Sequence, residues 1–401
     1  MTKIAFYHNH KGDIGHMVHL LRIIEAIRRR APSCKIFVFQ AGRPQPDLEK
    51  TAGISWLHLP RPFYSQANYF SSPRVPPAVS ALRGRFLACA LSRIRPDAFI
   101  TDFFPFGRRE CGLELLPALK SLESLGTEIF ACVPMPYFSH SSDEIDELFR
   151  FSRFYRKILI HTPPELDLEY MARWIGMERR ISRKAFLDVM RKLRRKLYFT
   201  GYVQPSTSAE PPPIGLPEGK TILVHRGGGS TSPDIISKAL LAKRLLDPSY
   251  SMLVVAGPAT SKQEMGMFKT LIRRNGIRGV KIRRFVPSLR AYIEKSSVCV
   301  GSGGGTSYEL LFYGKKCVVI PFTGLPGARR ADQLSRAHLL KSLIGAGILN
   351  YESLTVENLA QAIRRQIASR RPPVSYGITK RRWFEGSARS AEMILSHVGS
   401  K

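Results

Sequence analysis

Gly301-Ser302-Gly303-Gly304-Gly305-Thr306-Ser307-Tyr308-Glu309 is the stretch on which the reading of this chain turns. The apolar run of residues 298–300 before it has strand character, and Leu310-Leu311-Phe312 after it continues a helical pattern. The order is therefore strand, glycine turn, helix. Glycines let the backbone bend sharply, and the unpaired N–H groups of a helix N-terminus attract anions. Gly303, Gly304, Gly305 and Thr306 are accordingly expected at a diphosphate. Glu309 falls one turn into the helix, where a carboxylate can accept from both hydroxyls of a ribose. Thr306 and Glu309 also fit a Ser/Thr-x-x-Glu capping box, which is compatible with ligand binding.

Working outward, short strand runs alternate with helical patterns in both directions. Strands are expected at 221–225, 251–256, 280–286, 298–300 and 317–320, with helices at 234–246 and 262–274. Toward the N-terminus, strands are expected at 3–7, 35–39, 97–101, 128–133 and 157–161, with helices from about 15, at 114–125 and at 165–174. Such alternation predicts an α/β chain with parallel sheets. Residues 204–219, rich in Pro and Ser and without periodicity, read as a linker. The expected organisation is an N-terminal domain (1–203) for an acceptor, a C-terminal donor domain (220–372), and a helical tail (373–401) packing back across the linker. Two Rossmann-like domains would then face each other across a cleft, with ligands at the carboxyl ends of the strands.

Two more loops carry chemistry. His225-Arg226-Gly227-Gly228-Gly229-Ser230 follows the first strand of the second half. Its glycines and Ser230 suit a phosphate, with Arg226 as counter-charge, but the Gly-Lys-Ser/Thr of a P-loop is missing. Gly12-Asp13-Ile14-Gly15-His16 follows the first strand of the chain. His16 opens a helix there, and a histidine is the usual base for an acceptor hydroxyl. Asp102 closes another strand, placed to orient His16, to contact the acceptor, or only to cap its loop.

Composition narrows the classes. The chain has 401 residues, 44% of them hydrophobic, and a formal charge of +31. Such hydrophobicity excludes a disordered chain, and no apolar run is long enough to span a bilayer. The N-terminus lacks the pattern of a signal peptide, and the six scattered cysteines lack metal spacing, so a cytoplasmic protein with reduced thiols is expected. No D-x-D metal motif stands out, and no cofactor beyond the donor is called for. The positive charge attracts phosphate in any form, whether nucleic acid, lipid headgroup or sugar nucleotide. Residues 179–198 form a basic amphipathic stretch suited to an anionic membrane surface or, more ordinarily, to a core-facing stripe with a solvated basic face. Residues 269–295 are similarly basic, and 69–85 read as an acceptor-side loop.

The stretch from Val298 to Ala346 resembles the C-terminal domain of family-28-type glycosyltransferases, inverting enzymes of the GT-B fold that include the lipid-II-forming N-acetylglucosaminyltransferase. Thr306, Glu309, Gly314-Lys315, Pro321, Asp332-Gln333 and Gly345-Ala346-Gly347 stand in the order of that signature. The resemblance implies that Glu309 holds a ribose, that Gln333 with Asp332 holds the donor sugar, and that Phe285 and Val286 pack on the base. It implies a UDP-sugar donor, transfer with inversion, and His16 as catalytic base. Asp102-Phe103-Phe104-Pro105-Phe106-Gly107 is similar to a branch of predicted glycosyltransferases. The chain departs from the signature at Lys316, where Pro is usual, and in the longer segment 324–330. A 2-epimerase of UDP-N-acetylhexosamine shares the architecture. A non-catalytic nucleic-acid-binding protein is the alternative that charge suggests, but no nucleic-acid-binding motif is visible and no specific nucleic acid is expected.

Overall fold

A computed structural model describes residues 1–9, 15–42, 44, 46–60, 76–135, 138, 140–163, 165, 181–204, 220–227, 233–286, 288–322, 331–370 and 374–398. They belong to two compact units, Met1–Ser206 with Arg382–Lys401, and Thr207–Arg381.

The first unit is built on strands β1 (Lys3–His8), β2 (Lys35–Gln40), β3 (Ile54–His58), β4 (Ala98–Asp102), β5 (Glu128–Val133), β6 (Lys157–Ile160) and β7 (Leu197–Phe199). They make one sheet in the order β3-β2-β1-β4-β5-β6-β7, every pair parallel. Central strands of a covered parallel sheet are buried on both faces, so they read as continuous apolar runs. All five residues of β4 are buried. Its longer helices are α1 (Gly15–Arg30), α2 (Pro77–Ile94), α3 (Gly112–Ser124), α4 (Ile145–Ser152) and α5 (Arg183–Leu193). α1 buries Met17, Leu20, Ile23, Ile24 and Ile27 and ends on Arg28-Arg29-Arg30, which suits the negative end of its dipole. α5 buries Phe186, Val189, Met190 and Leu193 in the core, so the apolar stripe of that basic stretch is occupied by packing.

The second unit repeats the plan with β8 (Thr221–His225), β9 (Ser251–Val255), β10 (Val280–Arg283), β11 (Val298–Gly301), β12 (Cys317–Val319) and β13 (Gly347–Ile348). Their order is β10-β9-β8-β11-β12-β13, again all parallel. The longer helices are α6 (Pro233–Ala242), α7 (Lys262–Arg274), α8 (Thr306–Tyr313), α9 (Ala331–Ile344) and α10 (Val356–Ala368). A Ser261–Glu264 capping box starts α7, and a Thr355–Asn358 box starts α10.

After Arg381 the chain returns to the first unit. α11 (Gly386–Val398) buries Ala391, Ile394 and Val398 in the cluster that holds Ile23 and Ile27 of α1. Val203 bridges Glu385, and a Cβ on Gly201 (φ +86°) would meet the Trp383 carbonyl at 2.8 Å, so the outgoing and returning segments lie in close contact.

One expectation changes. Residues 77–85 belong to the helix α2 and not to a loop, because Pro77 at its start supplies the right φ and lacks only an N–H that would be unpaired anyway. Expected loop residues 69–75 and most of the helix expected at 165–174 lie outside the described residues. The Lys316 departure also acquires a reason. Its Nζ donates to the carbonyls of Ile367 (3.2 Å) and Ser369 (2.7 Å), capping the end of α10. Lys196 does the same for the Ser152, Arg153 and Tyr155 carbonyls beyond α4. Part of the positive charge is thus consumed in closing helices. No described helix is long and apolar enough to cross a membrane.

Candidate active site

Both sheets reverse their winding at one point, between β1 and β4 in the first unit and between β8 and β11 in the second. Diverging loops leave a crevice at such a point, outside the carboxyl ends of the strands. The residues that end these four strands are His8, Asp102, His225 and Gly301.

In the first unit, α1 brings His16 to this point. Its Nδ1 lies 2.8 Å from Oδ1 of Asp102. The Asp102 side chain is 8% exposed and that of His16 25%, so the acid is enclosed while the base keeps an open side. Burial alone would raise the Asp102 carboxyl, but the facing imidazoles of His16 and His8 hold it well below the usual range. An ionised carboxylate only accepts, so Nδ1 of His16 is the donor in this contact, and in the neutral ring Nε2 is left with the lone pair. Gly12, Asp13 and Ile14 lie outside the described residues.

The loop after β4 is held tightly. Phe103 (φ 62°) and Arg108 (φ 59°) are left-handed without being glycine, a strained backbone that its surroundings must impose. Phe103 N–H donates to the Cys132 carbonyl (2.8 Å), and Thr101 Oγ1 donates to the Phe104 carbonyl (2.7 Å). Phe104 and Phe106 are buried anchors. The aromatic residues of the Asp102–Gly107 segment therefore position Asp102. Beneath the loop, Arg83 of α2 pairs with Glu114 of α3 (Nε to Oε2, 2.9 Å) and donates to the Ala41 carbonyl (2.9 Å). Tyr7 donates its hydroxyl to the same Glu114. Sequence reading missed this cluster and His8, since the partners are far apart in the chain.

In the second unit, the ring of His225 covers Gly301. A Cβ on Gly301 would lie 2.4 Å from Cε1 of His225. Burial pushes His225 down to about 4, so it stays neutral. Gly227 (φ +77°) and Gly257 (φ +97°) meet where a Cβ on Gly257 would lie 2.5 Å from the Gly227 carbonyl. Gly228, Gly229 and Ser230 lie outside the described residues.

The Arg226 side chain, expected as a counter-charge, is engaged by partners within the second unit. Its guanidinium donates to the Ala256 carbonyl (2.8 Å), to Thr260 Oγ1 (2.9 Å) and to Glu264 (3.1 Å), and the residue is 1% exposed. It pins the loop after β9 to the start of α7. Its carbonyl turns back to the Gly301–Thr306 turn, accepting from Ser302 Oγ at 3.2 Å.

The Gly303 backbone packs on α9, where a Cβ would lie 2.4 Å from the Gln333 carbonyl. Among the described residues, Gly305 has no atom within 4 Å of a Cβ placed on it, and a Cβ on Gly304 would meet Ser302 Oγ at 3.8 Å. Those residues leave the N-terminus of α8 uncrowded. The expected Thr306–Glu309 capping box does not form. Gly305 takes the N-cap place with helical φ −60° and ψ −28°, which puts Thr306 inside the first turn. Glu309 is buried in that helix. Phe285, half-buried, and Val286, buried, follow the carboxyl end of β10.

Gln333 is buried and accepts through Oε1 from the Phe322 N–H at 2.9 Å. Asp332 accepts from Arg336 one turn on, at 2.9 Å. Arg336 also donates to the Gly303 carbonyl (3.0 Å) and to the Tyr308 hydroxyl (3.1 Å). Arg336 thereby ties the glycine turn, α8 and α9 together. Its i,i+4 spacing from Asp332 was the available signal.

Two parallel Rossmann-type units, with glycine turns and an imidazole–carboxylate pair at their switch points, define the GT-B class. Residues 221–374, within the second unit, match the glycosyltransferase family 28 C-terminal domain. Solved structures agree over the full length. The glycotransferase of kitacinnamycin aligns with a TM-score of 0.64 at 15% identity, covering 98% of each chain. MurG of Acinetobacter baumannii aligns at 0.59 and 14%, covering 98% of this chain and 99% of its own. A UGT transferase from Siraitia grosvenorii, solved with UDP, aligns at 0.58 and 13%, covering 99% of this chain and all 100% of its own. These likenesses establish a GT-B fold. No curated protein matches the chain in sequence.

Proposed function

We propose that the chain is an inverting hexosyltransferase that moves a sugar from a nucleotide diphosphate, UDP by preference, to an acceptor hydroxyl without a metal ion. The observation that carries this reading is the 2.8 Å contact between His16 and Asp102 at the switch point of a GT-B first unit. In this reading Nε2 of His16 takes the proton of the acceptor hydroxyl while that oxygen bonds to the anomeric carbon. The bond from that carbon to the diphosphate oxygen breaks, and the diphosphate leaves with the electron pair. Asp102 stays ionised and stabilises the imidazolium, as a buried carboxylate does in a Ser-His-Asp triad.

In the second unit, the open N-terminus of α8 at Gly304, Gly305 and Thr306 receives the diphosphate, where helix N–H groups stabilise the growing charge. Glu309 takes the ribose, Gln333 and Asp332 the sugar, and Phe285 with Val286 the base. Gly228, Gly229 and Ser230 complete the phosphate loop. The family match of the second unit and the UDP-bound relative support the nucleotide donor.

Calorimetric titration with UDP, GDP and dTDP, on the wild type and on Glu309→Ala, tests the donor site. Selective binding of one nucleotide, lost in the variant, is expected. Binding of RNA or DNA with steep salt dependence, and of no nucleotide diphosphate, would overturn the reading.

A further inference from the structure

The Asp102 carboxylate faces two imidazoles, one at each oxygen. Oδ1 meets His16 at 2.8 Å, and Oδ2 lies 3.4 Å from Nδ1 of His8. A carboxylate attached by one rotatable bond has two equivalent oxygens and a broad rotational well. A single imidazole cannot fix it, and among the described residues no hydrogen bond within normal geometry reaches Oδ2.

His8 is built to supply the second hold. It ends β1, where the parallel register sets Tyr7 opposite Thr101, one residue before His8 and Asp102. On its other side it pairs with Gln40, and its carbonyl accepts from the Ala41 N–H at 2.8 Å. Its side chain is 0% exposed, so the ring cannot swing out to solvent. Burial, with nearby Arg108, lowers the ring's affinity for a second proton against the opposing pull of the Asp102 carboxylate. A neutral imidazole has one proton to place, and Asp102 is the anion beside Nδ1.

We propose that His8 is a positioning residue, whose Nδ1–H holds Oδ2 of Asp102 and so keeps Oδ1 on His16. The catalytic consequence rests on the transferase reading above, but the relationship between the three side chains does not. Holding the carboxylate still keeps the proton of His16 on Nδ1 and the lone pair on Nε2, where an acceptor hydroxyl would meet it. His8 itself touches no substrate.

The test is histidine-selective nitrogen labelling of the full chain, with long-range proton–nitrogen correlation to read each ring's tautomer. His8→Leu and His16→Gln identify the signals. The wild type is expected to carry the neutral proton on Nδ1 in both His8 and His16. His8→Leu should shift His16 toward the tautomer mixture of a free imidazole. His8→Asn, whose amide N–H takes the place of Nδ1–H, should preserve the wild-type state of His16. A wild-type His8 protonated on Nε2 instead would overturn the proposal without any variant, which covers the case of a leucine variant that does not fold. So would a His16 tautomer unmoved by His8→Leu. Failure of the transferase reading would show separately, as absence of UDP binding to the wild type.

Discussion

The backbone of Gly303 lies so near the carbonyl of Gln333 that a Cβ would approach the oxygen to 2.4 Å. Gly303 is therefore glycine because α9 packs on it, whereas Gly305, with no described residue within 4 Å, does not face that demand. Gly303→Ala should cost about 1–3 kcal/mol of stability by overpacking. Gly305→Ala should change stability by about 1 kcal/mol or less, the scale of a helix cap. If a diphosphate sits at the N-terminus of α8, Gly305→Ala nevertheless weakens UDP binding. Thermal unfolding with UDP titration on both variants checks the pair, and unchanged UDP affinity in Gly305→Ala would move the diphosphate elsewhere.

Arg226 offers the opposite test. Its guanidinium is committed to Ala256, Thr260 and Glu264, so Arg226→Met should lower stability by about 2–4 kcal/mol, somewhat below the loss for breaking a fully buried pair. Glu264 is partly exposed and keeps its bond to the Ser261 N–H (2.8 Å), which moderates the cost. UDP affinity measured on folded protein well below the new Tm should fall far less than it does for Glu309→Ala. A selective loss of affinity at unchanged Tm would restore Arg226 as a phosphate ligand.

His16→Gln and Asp102→Asn should each reduce turnover by about 10²- to 10⁴-fold, the usual contribution of a positioned base. UDP binding, assigned to the other unit, should stay within about twofold, because every donor contact proposed here comes from residues beyond 220. Parallel turnover and titration experiments decide this. A variant with normal turnover would remove its residue from the mechanism.

His225 makes stability depend on pH. Its folded value is lowered from 6.5 to about 4 by burial. Below pH 6.5 the unfolded chain takes up a proton that the folded ring refuses, so stability is complete above that value and falls as pH drops toward about 4. One such histidine accounts for about 3 kcal/mol across the window. His161, lowered to about 3, acts in the same direction in the first unit. Urea titrations between pH 7 and pH 4 should show the decline, and His225→Asn should flatten it.

Arg336→Ala should loosen the turn from Gly301 to Thr306, since the Gly303 carbonyl, Asp332 and Tyr308 all lose a donor. A loss of about 1–3 kcal/mol and weaker UDP binding are expected. Arg336→Lys should recover only part of both, because an ammonium cannot reproduce the planar fork. Full recovery by lysine would reduce the role of Arg336 to its charge.

Much of the fold was legible because covered parallel strands are apolar along their whole length. The strand expected at 221–225 and the helix at 262–274 appear with those bounds, and the strand at 128–133 likewise. The edge strand Ile54–His58 was not legible, since it is only half buried and its apolar residues do not alternate cleanly. Nor was β13, whose two residues carry no period at all.

The sequence by itself determined the α/β alternation, the glycine turn before Thr306 and the placing of His16 near the start of a helix. These are local properties, set by backbone freedom and side-chain period over a few residues. Only the tertiary structure decided that His16 meets Asp102, that His8 lies behind them, and that Arg226 turns to Glu264. Those partners are 86, 94 and 38 residues apart. Strand order brings them together, and hydrogen-bond geometry and burial then decide which charge is spent on packing and which stays open to a substrate.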